Sequence, residues 1–203
     1  MKRRVGIVLF PGFETLDAMG PVEMLGMYPD AFDIVTVAEL PGGVASAQGL
    51  KTGIDVTFAD GGHYDILLVP GGPGTRQEVA NPVIIDWLRE KSARAEIVTS
   101  VCTGAALLAQ AGVLNGKRAT TNKISFKWVV SQGPTVDWVA EARWVEDGDV
   151  MTSSGVSAGM DMTLALIARL LGDKAAEDAA LWAEYTWHRD KDSDPFAKAA
   201  GLV

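Results

Sequence analysis

Thiol and imidazole groups are scarce in this chain of 203 residues, which has one cysteine, Cys102, and two histidines, His63 and His188. A lone cysteine excludes an internal disulfide, and with the histidines far from it in sequence there is no zinc-type ligand set, so no metal site is expected. Basic charge is also short. The 18 Lys and Arg against 26 Asp and Glu leave a net charge of −8, and nothing basic clusters beyond Lys2-Arg3-Arg4. The electrostatic drive toward phosphate backbones is therefore missing, and nucleic acid is not an expected partner. Long apolar runs are missing too. Val5 to Phe10 stops at Pro11 and is followed by Glu14 and Asp17 with no small-residue cleavage pattern, so it reads as a strand rather than a secretory leader. The uncharged stretch Ile97 to Gly116 holds Thr99, Ser100, Thr103, Gln110 and Asn115, which suits a buried strand, turn and helix rather than a membrane span. The expected setting is reducing and cytoplasmic, with no membrane partner.

What is present is core material. Apolar residues make up 48% and charged residues 22%, enough for one packed domain at this length. Short β-rich runs alternate with helical patterns, the signature of βαβ units on a mostly parallel sheet covered on both faces, so the fold class is α/β. Strands are expected at Val5 to Phe10, Phe32 to Val37, Ile66 to Val69, Ile97 to Ser100, Ala142 to Val145 and Val150 to Thr152. Helices are expected at Thr15 to Met27, Pro82 to Ala93, Thr103 to Ala111, Ser125 to Ser131, Ser157 to Leu171 and Lys174 to Trp187. Asn81 before Pro82 is an N-cap signal, and Glu146-Asp147-Gly148-Asp149 marks a tight hairpin. Residues 1–188 read as one domain. The charged, non-periodic residues 189–203 read as a C-terminal tail, docked or disordered.

Chemistry concentrates where strands run into helices. In Thr99-Ser100-Val101-Cys102-Thr103-Gly104 the cysteine falls on such a junction, which projects one side chain above the sheet and lets Gly104 bring the helix close. Lone cysteines are commonly small buried hydrophobes, but the carboxyl ends of parallel strands are where open α/β sheets place their sites. The helix N-terminus there predicts a thiol of depressed pKa. After a second strand, Pro70-Gly71-Gly72-Pro73-Gly74 offers amides placed to form an oxyanion hole, although it also reads as an ordinary tight turn. A third junction carries Glu14 and Asp17 at a helix start. Apolar Phe13, Leu16 and Met19 around Asp17 suggest burial and a raised pKa, hence a proton donor, while Glu14 is the solvent-facing or capping group. Thr152 to Asp161 is a fourth such loop, with Ser157 as N-cap and no function expected of it. Neither histidine can be set beside Cys102, so a Cys-His dyad is not supported.

Taken jointly, F-P-G-F-E-T-L-D-x-x-G-P, V-P-G-G-x-G, T-S-V-C-T-G, G-K-R-A-T-T and S-x-G-V-S-A-G-M-D resemble the ThiJ/PfpI superfamily from about Val5 to Trp187. Asp17 rather than glutamate, and Thr103 rather than histidine after the cysteine, make the pattern most similar to the isocyanide hydratase branch. The resemblance implies a homodimeric, flavodoxin-like three-layer sandwich with Cys102 as nucleophile and Asp17 hydrogen-bonded to its sulfur. It further implies that Thr103 assists, that Gly71 and Gly72 border the pocket, and that no cofactor is needed. The implied substrate is a small electrophile, nominally an isocyanide hydrated to an N-substituted formamide. Asn122 stands where many relatives place histidine, a departure from the glyoxalase-type members. The alternatives are a non-enzymatic sensor domain like that of AraC-type regulators, whose basic helix-turn-helix segment does not follow here, an oxidation sensor using the same thiol, or a glyoxalase-type enzyme.

Overall fold

Buried strands in parallel register form the frame of the computed structural model, which describes residues 2–203. β1 (Arg3–Val8) runs into α1 (Thr15–Gly26) and the chain returns through β2 (Phe32–Ala38). A small antiparallel hairpin, β3 (Gly43–Ala45) and β4 (Lys51–Gly53), and a short β5 (Val56–Thr57) precede β6 (Ile66–Val69). Then come α2 (Thr75–Glu78), α3 (Pro82–Ser92), β7 (Ile97–Val101) and α4 (Gly104–Gln110). β8 (Arg118–Ala119), α5 (Phe126–Gln132) and β9 (Asp137–Trp138) lead to β10 (Trp144–Asp147) and β11 (Val150–Ser153). The chain ends through α6 (Ala158–Leu171), α7 (Asp173–Trp182) and α8 (Pro195–Ala199).

The main sheet has seven strands in the order β10-β11-β7-β6-β1-β2-β5, and every pairing in it is parallel except the β10–β11 hairpin. Every residue of β6, β7 and β11 is buried, as helices on both faces require. This is the flavodoxin-like α/β sandwich expected from the sequence. The strand order reverses between β1 and β6: the chain first builds outward to β5 and then crosses back. Ligand crevices in open α/β sheets form at the carboxyl ends beside such a reversal. The start of α1, which carries Asp17, and the loops that carry Gly71 and Cys102 all lie at that end of the sheet. Their register is tight, with Val69 beside Ser100 and Val101 beside Ser153.

Most expected elements occur within a residue or two, and Asn81 caps α3 by accepting the Val83 N–H at 3.0 Å ahead of Pro82. Ser157 stands before α6, but its hydroxyl makes no cap hydrogen bond. The helix expected to reach Trp187 stops at Trp182, followed by Glu184 at φ 48°. Tyr185 and Trp187 then fold back onto α6. The tail is docked: the Arg143 N–H donates to the Lys191 carbonyl and the Asp194 N–H to that of Glu141, both at 2.7 Å, and Ala197 is buried. Among the described residues no helix is long and apolar enough to cross a membrane.

Candidate active site

Cys102 directly follows β7 with φ 58°, a conformation unfavourable for a residue bearing Cβ and one that persists only where the surroundings enforce it. They do so from both sides. The Cys102 N–H lies 3.2 and 3.1 Å from the carbonyls of Ser153 and Ser154, and the Thr121 hydroxyl donates to the Cys102 carbonyl at 2.7 Å. The sharp turn also needs Gly104, because a Cβ there would lie 2.2 Å from the Val69 carbonyl oxygen. The side chain of Cys102 is buried, its thiol facing the carboxyl of Asp17.

Asp17, in the first turn of α1, is completely buried. Its Oδ2 accepts the Gly71 N–H at 2.9 Å, its Oδ1 has no fixed partner, and the Cys102 thiol interacts with the carboxyl. Burial is the main reason its pKa is pushed up to about 7. The Gly71 bond opposes that rise, while the charge of Glu14 adds to it. Glu14 itself is half-buried before the helix, makes no cap bond, and accepts from Gln48 Nε2 at 2.8 Å.

The thiol departs from the sequence expectation. Burial, and secondarily the charge of Asp17, push Cys102 up to about 12, and the Thr103 and Val156 amides and the Asn122 side chain that donate to the sulfur do not offset this. The helix-terminus argument failed because desolvation acts on the whole charge, whereas amides at a bend supply only partial charges. The resting site is a thiol beside an ionisable carboxyl.

The Gly71-Gly72-Gly74 amides also behave differently from an oxyanion hole. Gly71 donates to Asp17, Gly72 to Thr103 Oγ1 at 2.9 Å, and Gly74 to the Gly12 carbonyl at 3.1 Å. All three are engaged, so they position the neighbouring side chains instead of awaiting an anion. Gly71 is sterically required as well, since a Cβ on it would come within 2.5 Å of the Thr103 nitrogen and 2.9 Å of the Cys102 Cβ. The Thr103 hydroxyl, 3.1 Å from that of Thr75, is thereby locked while its N–H faces the sulfur.

Two residues at the sulfur carried no clear signal in the sequence. Val156 lies in the loop to which no function was assigned, at φ 47°, and its N–H reaches Cys102 because β11 runs parallel beside β7 and ends at the same level. Asn122 accepts the Ser125 N–H at 2.9 Å through Oδ1, which leaves its amide nitrogen to donate to the sulfur. His63 is exposed and pairs with Asp65, and the exposed His188 approaches the Ser193 carbonyl, so neither imidazole bears on Cys102.

A parallel sheet covered on both faces, with a strained cysteine at a strand-to-helix elbow and a buried carboxyl against its sulfur, defines a class of flavodoxin-like proteins organised around one thiol. The chain belongs to the DJ-1/PfpI family, whose sequence profile matches residues 3–169. It is 36% identical over 188 residues to the isonitrile hydratase of Pseudomonas putida, covering 91% of this chain and 79% of that one. The crystal structure of a ThiJ/PfpI family protein from Pseudomonas syringae superposes with a TM-score of 0.84 at 31% identity, covering 96% and 77% of the two chains. The HTH-type transcriptional regulator CdhR of Pseudomonas aeruginosa is 27% identical over 180 residues, which cover 87% of this chain and 53% of the regulator.

Proposed function

We propose that this chain is a hydratase that adds water to an isocyanide and releases an N-substituted formamide, with Cys102 as nucleophile and Asp17 as its acid and base. The observation that carries the reading is the pairing of a protonated thiol with a carboxyl that ionises near neutral pH and has no competing cation. Similarity to an isonitrile hydratase supplies the substrate class.

The steps balance without a cofactor. Asp17 takes the thiol proton as sulfur bonds to the isocyanide carbon, then returns it to that carbon, giving the thioimidate R–N=CH–S–Cys102. Water adds across C=N, its hydroxyl going to carbon and its proton to nitrogen. The C–S bond then breaks, the hydroxyl proton passing through Asp17 to sulfur, and R–NH–CHO leaves. The Thr103 and Val156 amides and Asn122 stabilise the sulfur while it is anionic, the service usually given to an oxyanion. Gly71 and Gly72 act indirectly, by holding Asp17 and Thr103.

A panel of isocyanides and 2-oxoaldehydes tests the reading. Formamide release that Cys102→Ser abolishes without unfolding the protein is expected, because a serine hydroxyl at its ordinary pKa is a far poorer nucleophile with this carboxylate. Turnover of oxoaldehydes alone would replace the hydratase by a glyoxalase-type enzyme. We further propose a cytoplasmic homodimer. Leu181 and Trp182 remain 77% and 63% exposed, whereas Tyr185 and Trp187 pack within the chain. Sedimentation is expected to give twice the 21.5 kDa chain mass, and a micromolar monomer would refute it.

A further inference from the structure

A cavity of about 360 Å³ begins at Asn122 and Val156, the two residues outside the elbow that donate to the Cys102 sulfur. Its far wall is Phe196, Ala199 and Ala200, on and just after α8, with Ile124 at its edge. Asn122 and Val156 link the cavity to the sulfur, and Ile124, Phe196, Ala199 and Ala200 join Val156 in its apolar lining. Ile124 is 93% exposed and Phe196 58%, so two large apolar side chains of the lining also meet water. Lys123 is the only charged residue lining the cavity, and it is turned away: it is 3% exposed and its Nζ donates to Thr120 Oγ1 at 2.7 Å and to the Ala142 carbonyl at 2.6 Å.

This wall is built into the fold. Asp194, buried, caps α8 by accepting the Phe196 N–H at 3.0 Å and lies 3.8 Å from the Arg143 guanidinium. The backbone bonds from Asp194 to Glu141 and from Arg143 to Lys191 fasten the same segment. The last part of the C-terminal tail thus returns to the end of the sheet where Asn122 and Val156 stand.

We propose that α8 is a selectivity wall, in which Phe196 and Ile124 hold the apolar substituent of the electrophile that Cys102 attacks. An apolar cavity of ~150 Å³ accepts a benzene ring, so this one has room for a cyclic substituent with its reactive head directed at the sulfur. The proposal rests on Cys102 being the nucleophile and does not require the electrophile to be an isocyanide.

Two readouts on the full-length protein separate these ideas. The first is alkylation of Cys102 at pH 8 by iodoacetamide and by N-benzyl iodoacetamide, each normalised to glutathione. The second is kcat/KM for methyl and cyclohexyl isocyanide. The wild type is expected to favour the bulky apolar member by roughly tenfold or more, as burial of a ring-sized surface allows. Phe196→Ala should remove most of that preference and Ile124→Ala part of it, with the iodoacetamide rate unchanged within about twofold. Both side chains are largely exposed, so the variants should fold. Absence of the preference in the wild type, or variants that slow both reagents alike, would overturn the wall. An alkylation preference without isocyanide turnover would retain the wall and remove the hydratase. Turnover indifferent to the substituent would do the reverse.

Discussion

Asp17 and Asp161 are both wholly buried, yet the structure treats the two carboxylates in opposite ways. Asp161, on α6, accepts from Arg143 Nε at 2.6 Å, with Nη2 of the same guanidinium also 2.6 Å away, from the Tyr185 hydroxyl at 3.1 Å and from the His188 N–H at 2.9 Å. The indole of Trp187 adds a bond to its main-chain carbonyl at 3.2 Å. Among the described residues Asp17 has one amide, one thiol and no cation. A buried carboxylate supplied with a guanidinium and further donors acts as a fastener, here tying the segment after α7 to α6. One left short of donors gains from holding a proton, and that makes it a proton carrier. The contrast separates a structural charge from a chemical one without reference to any relative.

Replacing Asp17 by Asn tests the contrast most severely, because it should lower activity and raise stability together. Loss of a positioned acid-base group typically lowers the rate 10²- to 10⁴-fold. With its pKa raised from 3.8 to about 7, the folded chain holds more protons than the unfolded one between those values. Stability therefore falls as pH rises through that window, and above pH 7 the full penalty is at most ~4 kcal/mol. Asp17→Asn removes it and can still accept from Gly71. Its melting temperature should exceed that of the wild type at pH 8 and converge with it toward pH 4. A variant less stable at pH 8 would show that Asp17 is a fastener after all.

Arg143→Met is the converse experiment. It leaves Asp161 and Asp194 in the interior without their guanidinium, and breaking a buried pair of this kind costs about 3–5 kcal/mol. Chemical denaturation should show that loss, while the folded fraction keeps its rate toward methyl isocyanide. A stability change under about 1 kcal/mol would place both carboxylates in the same category.

The same difference explains what the sequence made legible. Asp17 could be singled out because apolar Phe13, Leu16 and Met19 stand next to it in the chain, although of the three only Phe13 is fully buried and Leu16 is exposed. The pairing of Asp17 with Cys102 came from the family resemblance alone, because nothing local to either segment sets the two side by side. Asp161 drew no attention, because Arg143, Tyr185 and His188 converge on it from segments with no mutual spacing. Val156 was invisible for a related reason: it serves through a backbone amide, which every residue except proline carries. Asn122 was noticed only as a departure. Short elements such as β3, β5 and α8 lack the length for any period to show. The raised thiol pKa was misjudged because a strand-to-helix junction reveals dipole direction and says little about how deeply the sulfur is desolvated.

The finest test concerns Glu14, which touches the comparison only through its charge. Asp17 is raised first by burial, and the Glu14 carboxylate adds to the rise against the opposing Gly71 bond. In the mechanism above the active resting form is thiol with ionised Asp17, so kcat/KM should climb with pH through about 7 and then level off. Glu14→Gln removes the neighbouring charge but keeps an oxygen able to accept from Gln48. The ionised form of Asp17 then becomes easier to reach, and the acid limb should move down by roughly a few tenths of a pH unit. At pH 6 the variant should outpace the wild type, and at pH 8 the two should agree within about twofold. A kcat/KM profile from pH 5 to 9 resolves this. A limb that does not move would show that solvent screens Glu14 from the buried carboxyl, and a plateau lowered as far as that of Asp17→Asn would put Glu14 in the proton path itself.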